Sequence, residues 1–199
     1  MGLILSLQGC MAVGKTTAAR YLEAHISGLQ VFYEDNAAVI EEVRRRGLDK
    51  TVYPDYLEIQ KLWIANEIRR WNAARSADAA VMDFGAEEIE FYTLFYPRSI
   101  GKDWNVTEPL AEELRALRRC LPRRVLFLDA GEETIRNRKA LDKSRSRTFF
   151  EHYLTSLLPM KRQWFLGRDD VDILRTDGLS RKQMCEHAAD WVLLQMEKQ

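Results

Sequence analysis

Residues 9–16 read GCMAVGKT and fit the pattern GxxxxGK(S/T), directly after the apolar run Leu3–Leu7. In this pattern the two glycines let backbone N–H groups surround phosphate oxygens, Lys15 reaches the β- and γ-phosphates, and Thr16 offers a hydroxyl to Mg²⁺. A helix that begins at Lys15 points its positive end at the same anion. The sequence therefore predicts a strand, a phosphate-binding loop and a helix, and disfavours the alternative of a simple glycine turn. The residues expected to bind the nucleotide are Gly9, Ala12, Val13, Gly14, Lys15, Thr16 and Thr17.

The composition fits one globular domain over residues 1–199, because 46% of the residues are hydrophobic. Lys and Arg together number 30, as do Asp and Glu, so the zero net charge gives no reason to expect a nucleic acid or membrane partner. The three cysteines are far apart and match no disulfide or metal-ligand pattern, as in a reducing cytosol. Because no apolar run has transmembrane length, we expect a soluble, cytoplasmic protein.

Short apolar runs alternate with longer amphipathic segments along the whole chain, which is typical of a parallel sheet with helices on both faces. The predicted strands are Leu3–Gln8, Gln30–Tyr33, Ala79–Phe84, Arg124–Asp129 and Val171–Arg175. The predicted helices are Lys15–Ile26, Tyr56–Arg75, Glu87–Tyr96, Thr107–Arg119, Glu132–Leu141, Thr148–Phe165 and Ser180–Glu197. The predicted fold class is therefore α/β, with a five-stranded parallel sheet.

Carboxylates follow four of the five predicted strands, where a sheet of this kind binds its ligand. A carboxylate at a strand end also serves to cap the next helix, which is the interpretation we favour for Asp129 and Asp177. Glu34, Asp35 and Asp83 fit a phosphoryl-transfer site better. Such a site needs an acceptor for the proton of the attacking hydroxyl and oxygen ligands for Mg²⁺.

With these features the chain resembles the P-loop nucleoside and nucleotide kinases, and most of all the deoxynucleoside and uridine kinases. The resemblance extends over nearly the full length, although only the phosphate loop is a strict motif. In deoxynucleoside kinases a glutamate after the second strand is the general base, which the resemblance places at Glu34. Uridine kinases use an aspartate in this region, so Asp35 is the alternative base.

The resemblance also suggests residues for the acceptor molecule. Gln60 corresponds to a glutamine that hydrogen-bonds the nucleobase, with a solvent-exposed helical glutamine as the alternative. Trp63 and Tyr56 lie on the same side of the predicted helix. They form either an apolar wall for a flat ring or part of the ordinary core.

After the third strand these kinases have an acid followed by an arginine, where this chain has Asp83 and then Phe84. The acid is retained, and we expect Asp83 to bind Mg²⁺ through water. The arginine that holds the acceptor and phosphates is missing, and its substitutes from the sequence are Arg98, Arg69 and Arg70.

Basic residues dominate residues 115–147, and part of this block resembles the arginine-rich lid of the family. The lid is expected over residues 138–148, with Arg138, Arg145 and Arg147 as its catalytic cations and solvent-exposed helical arginines as the alternative. Such a lid brings positive charge to the transferring phosphoryl group and excludes water.

The resemblance thus implies an ATP- and Mg²⁺-dependent kinase of a small acceptor, foremost a nucleoside or nucleotide. One alternative is a kinase of another small metabolite or antibiotic, because the fold does not define the acceptor. The other is a nucleotide-binding switch, which lacks support because the sequence has neither an Asn-Lys-x-Asp nor an Asp-x-x-Gly motif at the expected places. A homodimer is left open.

Overall fold

A computed structural model describes residues 2–141 and 149–198. Within these ranges the sheet has five parallel strands in the order β2-β3-β1-β4-β5. The strands are β1 Leu3–Gly9, β2 Leu29–Phe32, β3 Ala79–Asp83, β4 Arg124–Asp129 and β5 Val171–Arg175. The predicted fold class and all five predicted strands are confirmed, with shifts of one residue at some ends.

The centre of the sheet is β1, which is buried along its whole length between β3 and β4. Its near-continuous apolar sequence is what a parallel strand covered on both faces requires. Leu7 pairs with Asp83 of β3 and with Leu126 of β4, so the carboxyl ends of the three strands lie side by side. The phosphate loop leaves β1 at this edge of the sheet.

Helices cover the sheet and connect its strands. They are α1 Lys15–His25, α2 Ala37–Arg46, α3 Tyr53–Ala74, α4 Ala86–Ser99, α5 Ala111–Arg118, α6 Glu132–Leu141, α7 Phe150–His152, the π-helix Tyr153–Leu157, α8 Leu158–Leu166 and α9 Arg181–Glu197. Within the described ranges no helix combines the length and apolar composition needed to cross a bilayer.

Helix α2 was not predicted, because its apolar residues Val39, Ile40 and Val43 span little more than one turn. Of its ten residues only Val39 is buried, so little of the helix surface contacts the core. Gly47 ends the helix in the left-handed conformation that glycine adopts without steric cost.

In the described part of the predicted helix Thr148–Phe165, the chain is helical from Phe150 onward but contains one π-helical turn. The π-helix separates α7 from α8, and Pro159 lies in the first turn of α8. Proline lacks an N–H and its ring clashes with the carbonyl four residues earlier. A wider π-turn at this point accommodates the ring, and such turns are frequent at functional sites.

A second proline, Pro97, lies inside α4 and orders the contact between α3 and α4. Because Pro97 has no N–H, the carbonyl of Thr93 lacks its helical donor. The hydroxyl of Tyr56 on α3 lies 3.1 Å from this carbonyl oxygen and 2.9 Å from that of Tyr92, so the two carbonyls share its one proton. This contact holds α3 and α4 side by side, and both helices line the same cavity.

Candidate active site

A cavity of about 980 Å³ opens at the carboxyl ends of the strands, beside the phosphate loop. This is where parallel α/β sheets bind ligands. One half of the cavity is formed by the loop and α1, and the other by residues of α3 and α4 together with Phe149 and Tyr153. The predicted site residues Gln60, Trp63 and Glu34 lie in its lining.

The phosphate loop has the backbone that its glycines predict. Gly9 and Gly14 have φ angles of 136° and 114°, and a Cβ at Gly9 would lie 2.2 Å from the carbonyl oxygen of Leu128. Helix α1 begins at Lys15, and its N-cap residue, Gly14, has no side chain that could accept a hydrogen bond from the first turn. The N–H groups of the first turn therefore point to the loop, where an anion is stabilised by the helix dipole.

Lys15 folds back over the loop. Its Nζ donates to the carbonyl oxygen of Gly9 at 3.2 Å and to that of Cys10 at 3.0 Å. A lysine on a flexible stem can exchange these carbonyls for phosphate oxygens. The geometry is consistent with the predicted role of Lys15.

Thr16 and Asp83, predicted as the magnesium residues, are in direct contact. The Thr16 hydroxyl donates to Oδ2 of Asp83 at 2.8 Å, and Asp83 is 4% exposed. The pairing of β1 with β3 places the carboxylate beside the loop. A hydroxyl and a carboxylate are hard oxygen ligands, and Mg²⁺ takes only one or two such groups from a protein. These residues fit the ion.

The two candidate bases point to different surroundings. Glu34 lines the cavity and accepts a hydrogen bond from the side-chain amide of Asn36. Asp35 forms an ion pair with Arg69 at 3.4 Å, and its backbone carbonyl accepts from Asn66 at 2.8 Å. Asp35 is not among the described residues that line the cavity.

The half of the cavity formed by α3 and α4 is aromatic. Gln60 is only 6% exposed, which excludes the alternative of a solvent-exposed glutamine, and its Oε1 accepts from the Thr93 hydroxyl at 2.9 Å. The same hydroxyl lies 2.8 Å from the carbonyl oxygen of Ile89, so Gln60 is held against the backbone of α4. The aromatic side chains that line the cavity are Tyr56, Trp63, Phe84, Tyr92, Tyr96, Phe149 and Tyr153.

The three arginines suggested as substitutes for the missing one lie elsewhere. Arg70 is buried, pairs with Glu67 at 2.6 Å and donates to the carbonyl of Phe84. Arg69 pairs with Asp35, as described above, and Arg98 is exposed beside Phe95. Among the described residues that line the cavity, none of the three is present. The structure therefore does not bring the suggested arginines to the cavity lining, and Arg70 holds the backbone after β3 instead.

Lys50 is the cation that the sequence missed on this side. Its Nζ lies 5.0 Å from the ring centre of Tyr96 and 4.8 Å from that of Phe149, and the residue lines the cavity. It belongs to the segment between α2 and α3, and no motif marks it. Arg20 and Glu88 also line the cavity without a sequence signal.

Arg138 connects the loop to the end of β5. Its guanidinium donates to the carbonyl of Val13 at 3.0 Å and to the hydroxyl and carbonyl of Thr176 at 2.9 and 2.8 Å. It also lines the cavity. The other two lid candidates, Arg145 and Arg147, lie outside the described residues.

The carboxylates Asp129 and Asp177 have separate structural roles. Asp177 accepts from the N–H of Gly131 at 2.9 Å and the hydroxyl of Thr134 at 2.6 Å, so it caps α6 and not the helix that follows it. Ser180 caps that helix, α9. The capping interpretation of Asp129 is wrong: it is 1% exposed and pairs with Arg162 and Arg175.

The sheet order and the loop beside a Thr16–Asp83 pair define the protein as a P-loop nucleotide-binding protein of the α/β class. The chain belongs to a family described as AAA domain, whose model matches residues 5–192. Comparison with curated proteins gives no match. Among solved structures it is similar to thymidylate kinase from Candida albicans, with a TM-score of 0.62 and 16% identity over 99% of this chain and 92% of that one. The chain therefore has the P-loop nucleotide kinase fold, as predicted.

Proposed function

We propose that the protein transfers a phosphoryl group from ATP to a small acceptor, a nucleoside or nucleotide. The observation that carries this proposal is the continuity of the cavity. The same cavity is lined by the phosphate loop, by the Glu34 carboxylate and by an aromatic pocket that holds Gln60. A binding protein needs only the first of these, whereas a kinase needs donor, base and acceptor together. The shared fold with thymidylate kinase also supports the proposal.

The donor half would bind ATP through the loop N–H groups and Lys15. Lys15 would leave the carbonyls of Gly9 and Cys10 and bind the β- and γ-phosphates. Thr16 and Asp83 would hold Mg²⁺, Asp83 through water, and a bound Mg²⁺ supplies charge neutralisation at the phosphates. Arg138 would contribute positive charge at the same end of the cavity. We also expect Arg145 and Arg147 to act in the lid.

The acceptor half would place a hydroxyl at Glu34. A general base must lie within hydrogen-bond reach of the proton it removes, and Glu34 lines the cavity while Asp35 pairs with Arg69. Gln60 would hydrogen-bond a heterocycle lying between aromatic walls such as Trp63. We therefore favour Glu34 over Asp35 as the base.

A kinase assay with matched variants tests the proposal. The wild type is given ATP and a panel of nucleosides, deoxynucleosides, their monophosphates and hydroxylated metabolites, and ADP formation and acceptor phosphorylation are measured. On the best acceptor, we expect Glu34→Gln to lower kcat about 100-fold or more, since a general base contributes this much. Lys15→Ala should lower kcat/KM by at least about 100-fold.

Asp35→Asn is the matched control, because it removes a neighbouring carboxylate of the same charge. It is expected to retain kcat within about threefold, because Asp35 is an exposed charge that pairs with Arg69 and does not line the cavity. If Asp35→Asn abolishes transfer and Glu34→Gln does not, the base is Asp35. If the wild type phosphorylates no acceptor in the panel, the kinase proposal is wrong.

A kinase of another small metabolite is the second candidate, and Phe84 is the observation that favours it. Phe84 stands where related kinases have the acceptor-binding arginine, and it lines the cavity. An acceptor half that has lost this arginine would bind a different pattern of charge. Transfer to a hydroxylated metabolite, with none to nucleosides or nucleotides, would establish this candidate.

A further inference from the structure

A lysine lies buried beneath the phosphate loop. Lys161 of α8 has a fully inaccessible side chain, and its Nζ donates to the carbonyl oxygen of Gly9 at 3.1 Å. The ammonium pairs with Oε2 of Glu88 at 2.5 Å. It also lies 5.7–6.0 Å from the ring centres of Phe91, Tyr153 and Phe165.

Such a position is costly for an amine. Removing an ammonium from water costs several kcal/mol even after relaxation, and the pair with Glu88 offsets this cost only in good geometry. Burial lowers the pKa of Lys161, and the Glu88 carboxylate opposes this effect. Apolar side chains of the same size often give a more stable core. Stability alone therefore does not account for a lysine at this place.

The carbonyl of Gly9 is the atom that both lysines share. Lys15 donates to it at 3.2 Å from the cavity side, and Lys161 donates to it at 3.1 Å from within the protein. When Lys15 turns to the phosphates, it gives up this contact. A buried carbonyl without a donor costs about 1–3 kcal/mol.

We propose that Lys161 is a positioning residue of the phosphate loop, which keeps the carbonyl of Gly9 hydrogen-bonded when Lys15 moves to the phosphates. Gly9 has a φ of 136°, which its lack of a side chain permits, so its peptide needs external contacts to stay in place. Glu88 holds Lys161 and also lines the cavity. The inference rests on the proposed use of ATP.

The altered helical turn is what brings Lys161 to this place. The π-helix at Tyr153–Leu157 precedes α8. The ring of Tyr153 lies 5.9 Å from the Nζ of Lys161, so both side chains lie on the side of this helix that faces the phosphate loop. A π-turn rotates the residues that follow it relative to an uninterrupted α-helix. The turn that accommodates Pro159 thereby also sets the direction of Lys161.

The test measures ATP affinity by calorimetry in the presence of Mg²⁺, together with the melting temperature. Lys161→Met is expected to weaken ATP and inorganic tripolyphosphate alike by about tenfold or more, because the bound state then leaves the Gly9 carbonyl unpaired. The single variant leaves the charge of Glu88 buried without its partner. The double variant Lys161→Met with Glu88→Gln also removes this charge, and it provides a folded protein if the single variant unfolds. Lys61→Met, which removes an exposed lysine paired with Glu58, is the matched control and should bind as the wild type.

A Lys15→Met background separates this role from a purely structural one. In that background the carbonyl of Gly9 has the same donor before and after ATP binds, so a further Lys161→Met should change ATP affinity by less than about twofold. An equal loss in both backgrounds means a structural role only and overturns the inference. So does unchanged affinity in every folded Lys161 variant. If the wild type itself binds neither ATP nor tripolyphosphate, the proposed function falls, and the inference with it.

Discussion

Cys10 lies within the phosphate loop, where a reactive thiol would expose nucleotide binding to oxidation. Its side chain is 0% exposed, and burial raises its pKa to about 11, against the lowering effect of Lys15, Lys161 and Arg162. At neutral pH the side chain is therefore a protonated thiol, which is a poor nucleophile.

We expect Cys10 to resist alkylation in the folded protein. Iodoacetamide at pH 7.5 should modify it at least about tenfold more slowly in buffer than in denaturing urea, since only the thiolate reacts. Peptide mass spectrometry after timed quenching measures the two rates. ATP affinity should be unchanged after treatment of the native protein. Rapid native labelling of Cys10 would contradict the assigned burial.

At the level of elements, a side-chain hydroxyl of α3 bonds to the backbone of α4. Tyr56 donates to the carbonyl that Pro97 leaves without a helical donor. Tyr56→Phe should lower the free energy of unfolding by about 1–2 kcal/mol, because a buried carbonyl loses its partner. Urea denaturation measures this change.

A second substitution tests the cause. In a Pro97→Ala background the new N–H can bond the carbonyl of Thr93, so the cost of Tyr56→Phe should shrink to below about 1 kcal/mol. Tyr53→Phe, which removes a hydroxyl that donates to an exposed carbonyl of Asn105, is the control and should cost less. Equal costs of Tyr56→Phe in both backgrounds would show that Pro97 is not the reason for the contact.

The elements also show what a sequence can predict. The loop motif and the alternation of apolar runs were sufficient for the five strands and the position of the site. Helix α2 was not predicted because its apolar residues Val39, Ile40 and Val43 span little more than one turn. Lys161 and Glu88 were missed for a different reason, since charged residues in helices are usually solvated, and only tertiary packing shows them buried.

At the scale of the whole molecule, acids that are buried among the described residues couple stability to pH. Glu67 is 1% exposed and pairs with Arg70, which in turn holds the backbone of Phe84. Burial raises the pKa of Glu67 to about 8, although Arg70 lowers it. Burial likewise raises the pKa of Glu87, which accepts from Ser6 and Gln8.

The sign of the pH dependence follows from proton binding. Between its unfolded value of 4.5 and about 8, the folded protein keeps a proton on Glu67 that the unfolded chain has released. The contribution of Glu67 to the free energy of unfolding is therefore fully present below pH 4.5, and it is lost as the pH rises through about 8. We expect the free energy of unfolding in urea to be lower at pH 8.5 than at pH 5.5, by about 1 kcal/mol or more from this group.

The variant Glu67→Gln isolates the effect, because glutamine keeps the shape and cannot titrate. The loss of stability between pH 5.5 and pH 8.5 should be smaller in Glu67→Gln than in the wild type. Glu42, whose pKa is lowered by Arg45, serves as the control: Glu42→Gln should retain the wild-type profile over this range. Identical profiles for Glu67→Gln and the wild type would mean that Glu67 stays ionised beside Arg70 throughout. In that case the ion pair, and not burial, would determine the charge state of the groups that hold the backbone after Asp83.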